Sequence, residues 1–423
     1  MTAAQLLAWI VTALLLQVAA GVGIVLWRRR GTAIGSPALP ERAESPPVGA
    51  WAGWREFRVR SRAFADPAQS QCSFYLEPVD GAPLPSFKPG QFLTFSLDVP
   101  DEGSDAPGAK RGVTRTITRI VTRCYSLSDR PDPACYRVTI KRVPSPADRP
   151  ELPPGVSSNH FHDHVQAGDV LKVKAPSGHF FIDPDASVPA VLVAGGIGIT
   201  PMMSMLRWCL AEQPGRRVHL VYGLRHGGEH AFKQQLNELA ASHPQFTLTV
   251  VYSRPGPDDV AGTDFQHAGH VDVDLLKRTL PHGRHQFYVC GPPAMMQTLV
   301  PALAQWGVPR EDLHFEAFGP ASVKLSGSGA EAEAEVVAAP VEVRFDRSGR
   351  TLVWDGQDAN LLKFAERHGV PVDSGCRSGG CGSCETGLSR GTVHYENPPD
   401  HDIAAGHCLL CVGRPSSALV LDA

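Results

Sequence analysis

Residues 191–201 read VLVAGGIGITP, a short apolar run that breaks into three glycines and then Thr200-Pro201. An apolar run bounded by glycine reads as a buried strand. Thr-Pro reads as the opening of a helix, with Thr200 as its N-cap and Pro201 at its first position. Further apolar runs at residues 218–222, 247–252 and 287–290 are each followed by a turn and a helical pattern. That alternation predicts an α/β doubly wound parallel sheet over residues 186–323. In the glycine loop, Gly195, Gly196 and Gly198 leave backbone amides open to a pyrophosphate, which the N-terminal end of the following helix favours. A second break, Tyr288-Val-Cys290-Gly291-Pro292-Pro293, falls where another strand reaches the carboxyl edge of the sheet, the usual ligand edge of such sheets.

Together these two breaks resemble the nicotinamide domain of the ferredoxin-NADP reductase superfamily, whose matching cysteine and glycine lie beside the nicotinamide ring. The resemblance implies that role for Cys290 and Gly291. It also implies that Ser253 and Arg254, with Arg225 as a second cation, would hold the 2′-phosphate of NADPH. Yet residues 225–232, RHGGEHAF, resemble NADH-using flavohaemoglobin reductases, so both coenzymes remain open.

Toward the N-terminus, residues 51–185 carry short strand-like runs at 92–99, 123–128 and 136–143, broken by Pro and Gly, with helical periodicity only near 159–165. A small antiparallel β-barrel fits this texture. Arg123-Cys-Tyr125-Ser126-Leu127-Ser128 matches the Arg-x-Tyr-Ser element of the same superfamily. Pro89-Gly90-Gln91-Phe92 precedes it and Gly155-Val-Ser-Ser158-Asn159 follows in the family's order. The chemistry asks for Arg123 to neutralise flavin phosphate, Tyr125 to stack on the isoalloxazine and Ser126 to hydrogen-bond near the reacting nitrogen. Ser158 would hold the pyrophosphate ahead of a helix beginning near Asn159. Phe318, in Phe315-Glu316-Ala317-Phe318, resembles the aromatic residue that covers the other flavin face. The run SNHFHDH at 158–164 is similar to flavohaemoglobin reductase domains, which implies FAD rather than FMN.

Toward the C-terminus, residues 324–340 are small, acidic and non-periodic, and read as a linker to a last domain over 341–423. There Cys376, Cys381 and Cys384 follow the spacing C-x4-C-x2-C, with Cys411 downstream. This is the pattern of four thiolates around a plant-type [2Fe-2S] cluster. Cys408 competes for the fourth place. The run from Cys408 to Arg414 resembles the end of plant-type ferredoxins, in which the matching ligand is Cys411. The resemblance implies an α+β, β-grasp ferredoxin domain, and the whole order of modules is that of the phthalate dioxygenase reductase family. Cys72, Cys124, Cys135, Cys209 and Cys408 take no proposed role.

The chain of 423 residues has 40 Lys and Arg against 43 Asp and Glu, which argues against a nucleic-acid partner. A nicotinamide gives a hydride and a [2Fe-2S] cluster takes single electrons, so a flavin between them makes an NAD(P)H oxidoreductase. The expected acceptor is a separate protein docking near Arg377, Ser378 and Arg414. It would be an oxygenase, hydroxylase or desaturase, or alternatively a quinone or a regulator. Residues 6–27 carry no charge and, as a helix, would cross a bilayer core of roughly 30 Å. Arg28, Arg29 and Arg30 follow, which predicts a single-pass anchor over residues 1–30, a tether over 31–50 and catalytic domains on the cytoplasmic side. Carbonate extraction should leave the chain in the membrane pellet, and a C-terminal reporter should be active only inside; an outward reporter would overturn the orientation.

Overall fold

The computed structural model describes residues 50–51, 53–100, 118–145, 150–151, 153–318, 340–375, 377, 379, 382–396, 399, 401 and 403–423. The expected anchor lies outside them, and among the described residues no helix is long and apolar enough to cross a membrane.

The first module is a curled antiparallel sheet. Its strands are β1 (Arg55–Phe64), β2 (Gln71–Pro78), β3 (Phe92–Pro100), β4 (Thr118–Ser126), β5 (Tyr136–Lys141) and β6 (Val170–Val173), in the order β4-β3-β6-β1-β2-β5. The two edge strands approach each other at one bridge, Leu127 to Val138, which partly closes the barrel. Phe57, Phe74, Leu93, Phe95 and Phe161 fill its centre. Helix α1 (Val156–Asp163) begins three residues before the expected Asn159. Gly155 caps it through backbone alone, because a Cβ there would lie 2.6 Å from Ser158 Oγ.

The second module is a six-stranded parallel sheet. It is built from β7 (Ala190–Gly195), β8 (Val218–Leu224), β9 (Phe246–Tyr252), β10 (His267–Ala268), β11 (Gln286–Gly291) and β12 (Leu313–Ala317). The order β10-β9-β8-β7-β11-β12 reverses direction between β7 and β11. Every residue of β7 and of β11 is buried, as expected for strands covered on both faces. The covering helices are α2 (Ile199–Glu212), α3 (Lys233–Ser242), α4 (Val273–Thr279) and α5 (Pro293–Trp306). The expected N-cap is corrected here: a 3-10 turn at Gly196–Gly198 runs directly into α2, so Gly198 takes the cap position. Thr200 and Pro201 are already helical, and Thr200 Oγ1 donates to the Ile197 carbonyl at 3.0 Å.

The third module has β13 (Val341–Phe345), β14 (Arg350–Trp354), α6 (Leu361–Arg367), β15 (Glu385–Arg390), β16 (Val393–Tyr395), β17 (His407–Leu409), β18 (Gly413–Pro415) and β19 (Leu419–Leu421). A five-stranded sheet, ordered β14-β13-β19-β15-β17, is accompanied by the β16-β18 pair. Phe364 of α6 lies against Phe345 and Trp354.

The barrel and the parallel sheet share a dense polar seam. Residues 225–232 leave β8 and are gripped by the turn after β1. Ala68 N–H donates to the Gly228 carbonyl at 2.9 Å, Phe232 N–H to the Ala65 carbonyl at 2.9 Å, and Gln71 Nε2 to the Glu229 carbonyl at 2.9 Å. Lys141 pairs with Glu229 at 3.0 Å and Arg207 with Asp129 at 2.8 Å. Beside this seam His230 is 1% exposed, its Nδ1 is 2.7 Å from the Tyr252 hydroxyl, and burial pulls its pKa down to about 4. The unfolded chain takes up that proton from about pH 6.5 downward while the folded chain resists it to about pH 4, so stability falls as pH drops through this window. Urea unfolding should show about 2 kcal/mol of stability lost to this group between pH 7 and pH 5. His230→Asn should flatten the dependence by that amount, and an unchanged slope would remove His230 as its source.

Candidate functional site

Two strand ends make the floor of the site. Ala194 of β7 is in register with Cys290 of β11, so the glycine loop and the Cys-Gly-Pro break lie side by side at the point where the sheet order reverses. A Cβ on Gly198 would come within 2.1 Å of the Cys290 carbonyl oxygen, and one on Gly195 within 2.6 Å of Pro292 Cδ. Only glycine permits these backbones to touch. Gly196, at φ +52°, has open space on its Cβ side, which leaves room for a ligand to approach its backbone. This cradle fits the pyrophosphate of a dinucleotide.

Cys290 is fully buried, and burial first, then the charge of Glu316, pushes its thiol well above the ordinary value. It is therefore a neutral thiol, not a nucleophile. Glu316 stands opposite it in the β11-β12 register. Sequence reading passed over Glu316, although it lies inside the segment singled out for Phe318. Phe318 follows the end of β12 and is 36% exposed, so it is not an ordinary core residue.

The barrel supplies the other wall. Tyr125 lies on β4, opposite Leu93, with its ring edge-on to Phe95 and Phe161. Its hydroxyl is 2.8 Å from Ser157 Oγ, a partner the sequence did not single out, and burial raises its pKa to about 12. Ser126 closes β4 and is buried; Leu127 N–H donates to the Gln91 carbonyl at 2.9 Å. Gly90 makes that turn possible, since at φ +114° a Cβ would meet the Phe180 carbonyl at 2.4 Å. Ser158 lies within the first turn of α1 rather than ahead of it and donates to the Gly155 carbonyl at 3.2 Å. Asn159 Nδ2 donates to the Val143 carbonyl at 2.9 Å. Arg123 is only partly buried, yet burial first, then the neighbouring charge of Arg377, lowers its pKa.

At the coenzyme edge, Arg225 is ion-paired with Glu229, four residues on. Arg254 N–H donates to the Arg225 carbonyl at 2.8 Å, so the two cations leave adjacent strand ends. Arg254 and its side chain are exposed, and Ser253 is half-buried beside it.

For the metal centre, Cys384 and Cys411 are both buried, and Cys411 N–H donates to Cys384 Sγ at 3.4 Å. A backbone amide aimed at a ligand sulfur suits an iron-sulfur centre. Gly382, at φ +67°, packs so closely on His401 that a Cβ would lie 2.4 Å from the ring. Cys376, Cys381 and Ser378 lie outside the described residues. Cys408 sits in β17 opposite Thr386, in the core. Arg377, expected at the docking rim, is half-buried. Its guanidinium is ion-paired with Glu366 and lines a cleft that it shares with Arg123 of the barrel and with Cys411. Arg414 remains exposed, with its Nε donating to the Ala359 carbonyl.

Cys411→Ser should strip the visible iron-sulfur absorbance and most of the bound iron, whereas Cys408→Ser should retain both. The reverse pattern would transfer the fourth ligand to Cys408.

Residues 192–300 match the oxidoreductase NAD-binding domain family, and residues 343–416 match the 2Fe-2S iron-sulfur cluster binding domain family. The chain is 38% identical to a flavohemoprotein of Rhizobium meliloti over 283 residues, covering 67% of this chain and 64% of that protein. It therefore spans less than two thirds of the length of this relative. The FAD/NAD-binding domain of nitric oxide dioxygenase from Vibrio cholerae is 32% identical, with a TM-score of 0.53 over 63% of this chain and the whole of that one. Phthalate dioxygenase reductase, described as a modular structure for electron transfer from pyridine nucleotides to [2Fe-2S], is 27% identical with a TM-score of 0.51. It covers 90% of this chain and is itself covered in full. With its FAD, NAD(P)H and [2Fe-2S] sites, the chain thus belongs to the ferredoxin-NADP reductase superfamily of NAD(P)H oxidoreductases, as a flavohemoprotein-type reductase module joined to a C-terminal ferredoxin domain.

Proposed function

We propose that the chain is a membrane-tethered reductase that draws electrons from NAD(P)H and delivers them one at a time to a separate oxygenase, hydroxylase or desaturase. The observation that carries this reading is a single cleft lined by both Arg123 of the flavin barrel and Cys411 of the cluster site, because electron transfer needs those two centres close together. When bound, the nicotinamide supplies a hydride, and the flavin and the cluster divide its two electrons into single transfers.

The chain's own residues position these groups. Gly195, Gly196 and Gly198 admit the coenzyme's pyrophosphate against the start of α2. Cys290 stays neutral and buried, presenting an uncharged surface beside the nicotinamide, and Gly291 lets the strand end approach it closely. Tyr125 is held by Ser157 so that its ring offers a fixed face to the flavin, and Ser126 supplies a hydroxyl at the end of the same strand. Phe318, exposed at the end of β12, would cover the opposite flavin face. Glu229 holds Arg225 and leaves Arg254 alone to meet a 2′-phosphate, which favours NADH as the donor. The uncharged residues 6–27 support a tether that raises local concentration near a membrane-associated acceptor.

Anaerobic mixing with NADH should bleach the flavin band first and the cluster band second, and the kcat/KM for NADH should exceed that for NADPH by about tenfold, the size of one lost charge-assisted contact. Flavin reduction without any later cluster bleaching would overturn the proposed electron route.

A further inference from the structure

The cleft between the barrel and the ferredoxin domain has a volume of about 320 Å³ and is lined by Arg123, Asn360, Leu362, Lys363, Arg377 and Cys411. Three of these six are cations, one from the barrel and two from the ferredoxin domain. Arg123 is on β4, Lys363 on α6 and Arg377 in the cluster loop.

Their charges are poorly balanced by the protein. Glu366 is the acidic partner shared by two of them: Lys363 Nζ lies 3.3 Å from its carboxylate, and Arg377 forks onto the same group. Among the described residues Arg123 makes one hydrogen bond, from Nη1 to the Thr122 carbonyl at 2.7 Å, out of its five donors. Arg377 Nε is buried and has no hydrogen-bond partner. Among the described residues Glu366 is the one carboxylate set against these three cations; a thiolate at Cys411 would add negative charge on the cluster side of the cleft, whereas Arg123 and the unpartnered Arg377 Nε have none on the barrel side. Arg123 and Arg377 are part-buried and Lys363 lies at the more open rim, and like charges so gathered repel one another less when an anion lies among them. A dianionic group with several acceptor oxygens fits there, and guanidinium forks are the side chains best shaped to hold phosphoryl oxygens.

We propose that the ferredoxin domain completes the flavin's phosphate site, with Arg377 and Lys363 joining Arg123 around the phosphoryl oxygens of the bound flavin nucleotide. This rests on the flavin reading of the barrel given above. It makes the nucleotide a tie between the two modules, so that occupancy by flavin and docking of the cluster domain reinforce each other. It also accounts for Arg377 lining a cleft with Arg123 of the barrel.

The test uses the full chain, freed of flavin, with its iron content checked before titration. FAD, FMN and riboflavin are added to wild type, Arg377→Gln, Arg377→Lys and Lys363→Gln, and binding is followed by flavin fluorescence. Loss of one charge-assisted contact should weaken FAD and FMN about tenfold in Arg377→Gln and by a smaller factor in Lys363→Gln. Arg377→Lys should recover part of that loss. Riboflavin, which has no phosphate, should bind all four proteins within about twofold. Equal weakening of riboflavin would mean that the substitutions act through packing, and unchanged FAD and FMN affinity would mean that the cations do not touch the phosphate; either result overturns the proposal. Lys363 belongs to α6 and not to the 376–384 cysteine loop, so Lys363→Gln, with its iron content confirmed, still decides the matter if Arg377→Gln loses its cluster. Failure of wild type to bind any of the three flavins would instead overturn the flavin reading itself.

Discussion

Glu229 is the residue on which the two larger modules turn. Its carboxylate is ion-paired on one side with Lys141 of the barrel and on the other with Arg225 of its own loop, and its carbonyl accepts from Gln71. Desolvation works against its charge, but the hydrogen bonds and charges of Lys141 and Arg225 outweigh it and lower its pKa. A buried carboxylate held this way is costly to separate from its partners, because losing both cations would strand the charge. The consequence is geometric. Hydride transfer tolerates little error in the distance between donor and acceptor, and the flavin wall and nicotinamide floor come from different sheets. The loop that carries Glu229 fixes one against the other.

The floor obeys a second constraint, the near-contact of two strand ends. The glycine loop after β7 and the Cys-Gly-Pro break after β11 meet because these strands are neighbours across the reversal of the sheet. Gly198 touches the Cys290 carbonyl so closely that any larger residue would force the strands apart. The same closeness buries Cys290 and keeps its thiol protonated.

The modules differ in how far residue order reveals them. The parallel sheet was legible because fully covered strands must be apolar throughout, and its glycine breaks mark where helices begin. Even so, Thr200-Pro201 suggested a cap that the structure gives to Gly198, since a 3-10 turn ahead of α2 starts the helix early. Ser157 was hidden by its neighbour Ser158: adjacent hydroxyls on a helix face different directions, and only the packing of α1 on the barrel selects the one that meets Tyr125. Glu316 was hidden because a strand residue between Phe315 and Ala317 reads as part of an alternating pattern until the partner strand is known.

Local chemistry is written in short spacings, so the sequence by itself determined the kinds of centre this protein carries. The C-x4-C-x2-C loop, the Arg-x-Tyr-Ser strand and the glycine-rich turn each concentrate their meaning within a few residues. Tertiary structure alone decided what those centres face. Arg377 reads as an exposed loop cation, yet it points toward Arg123, more than two hundred positions earlier in the chain, across a cleft formed by two modules. No local pattern encodes such a meeting, because it depends on how separately folded surfaces dock.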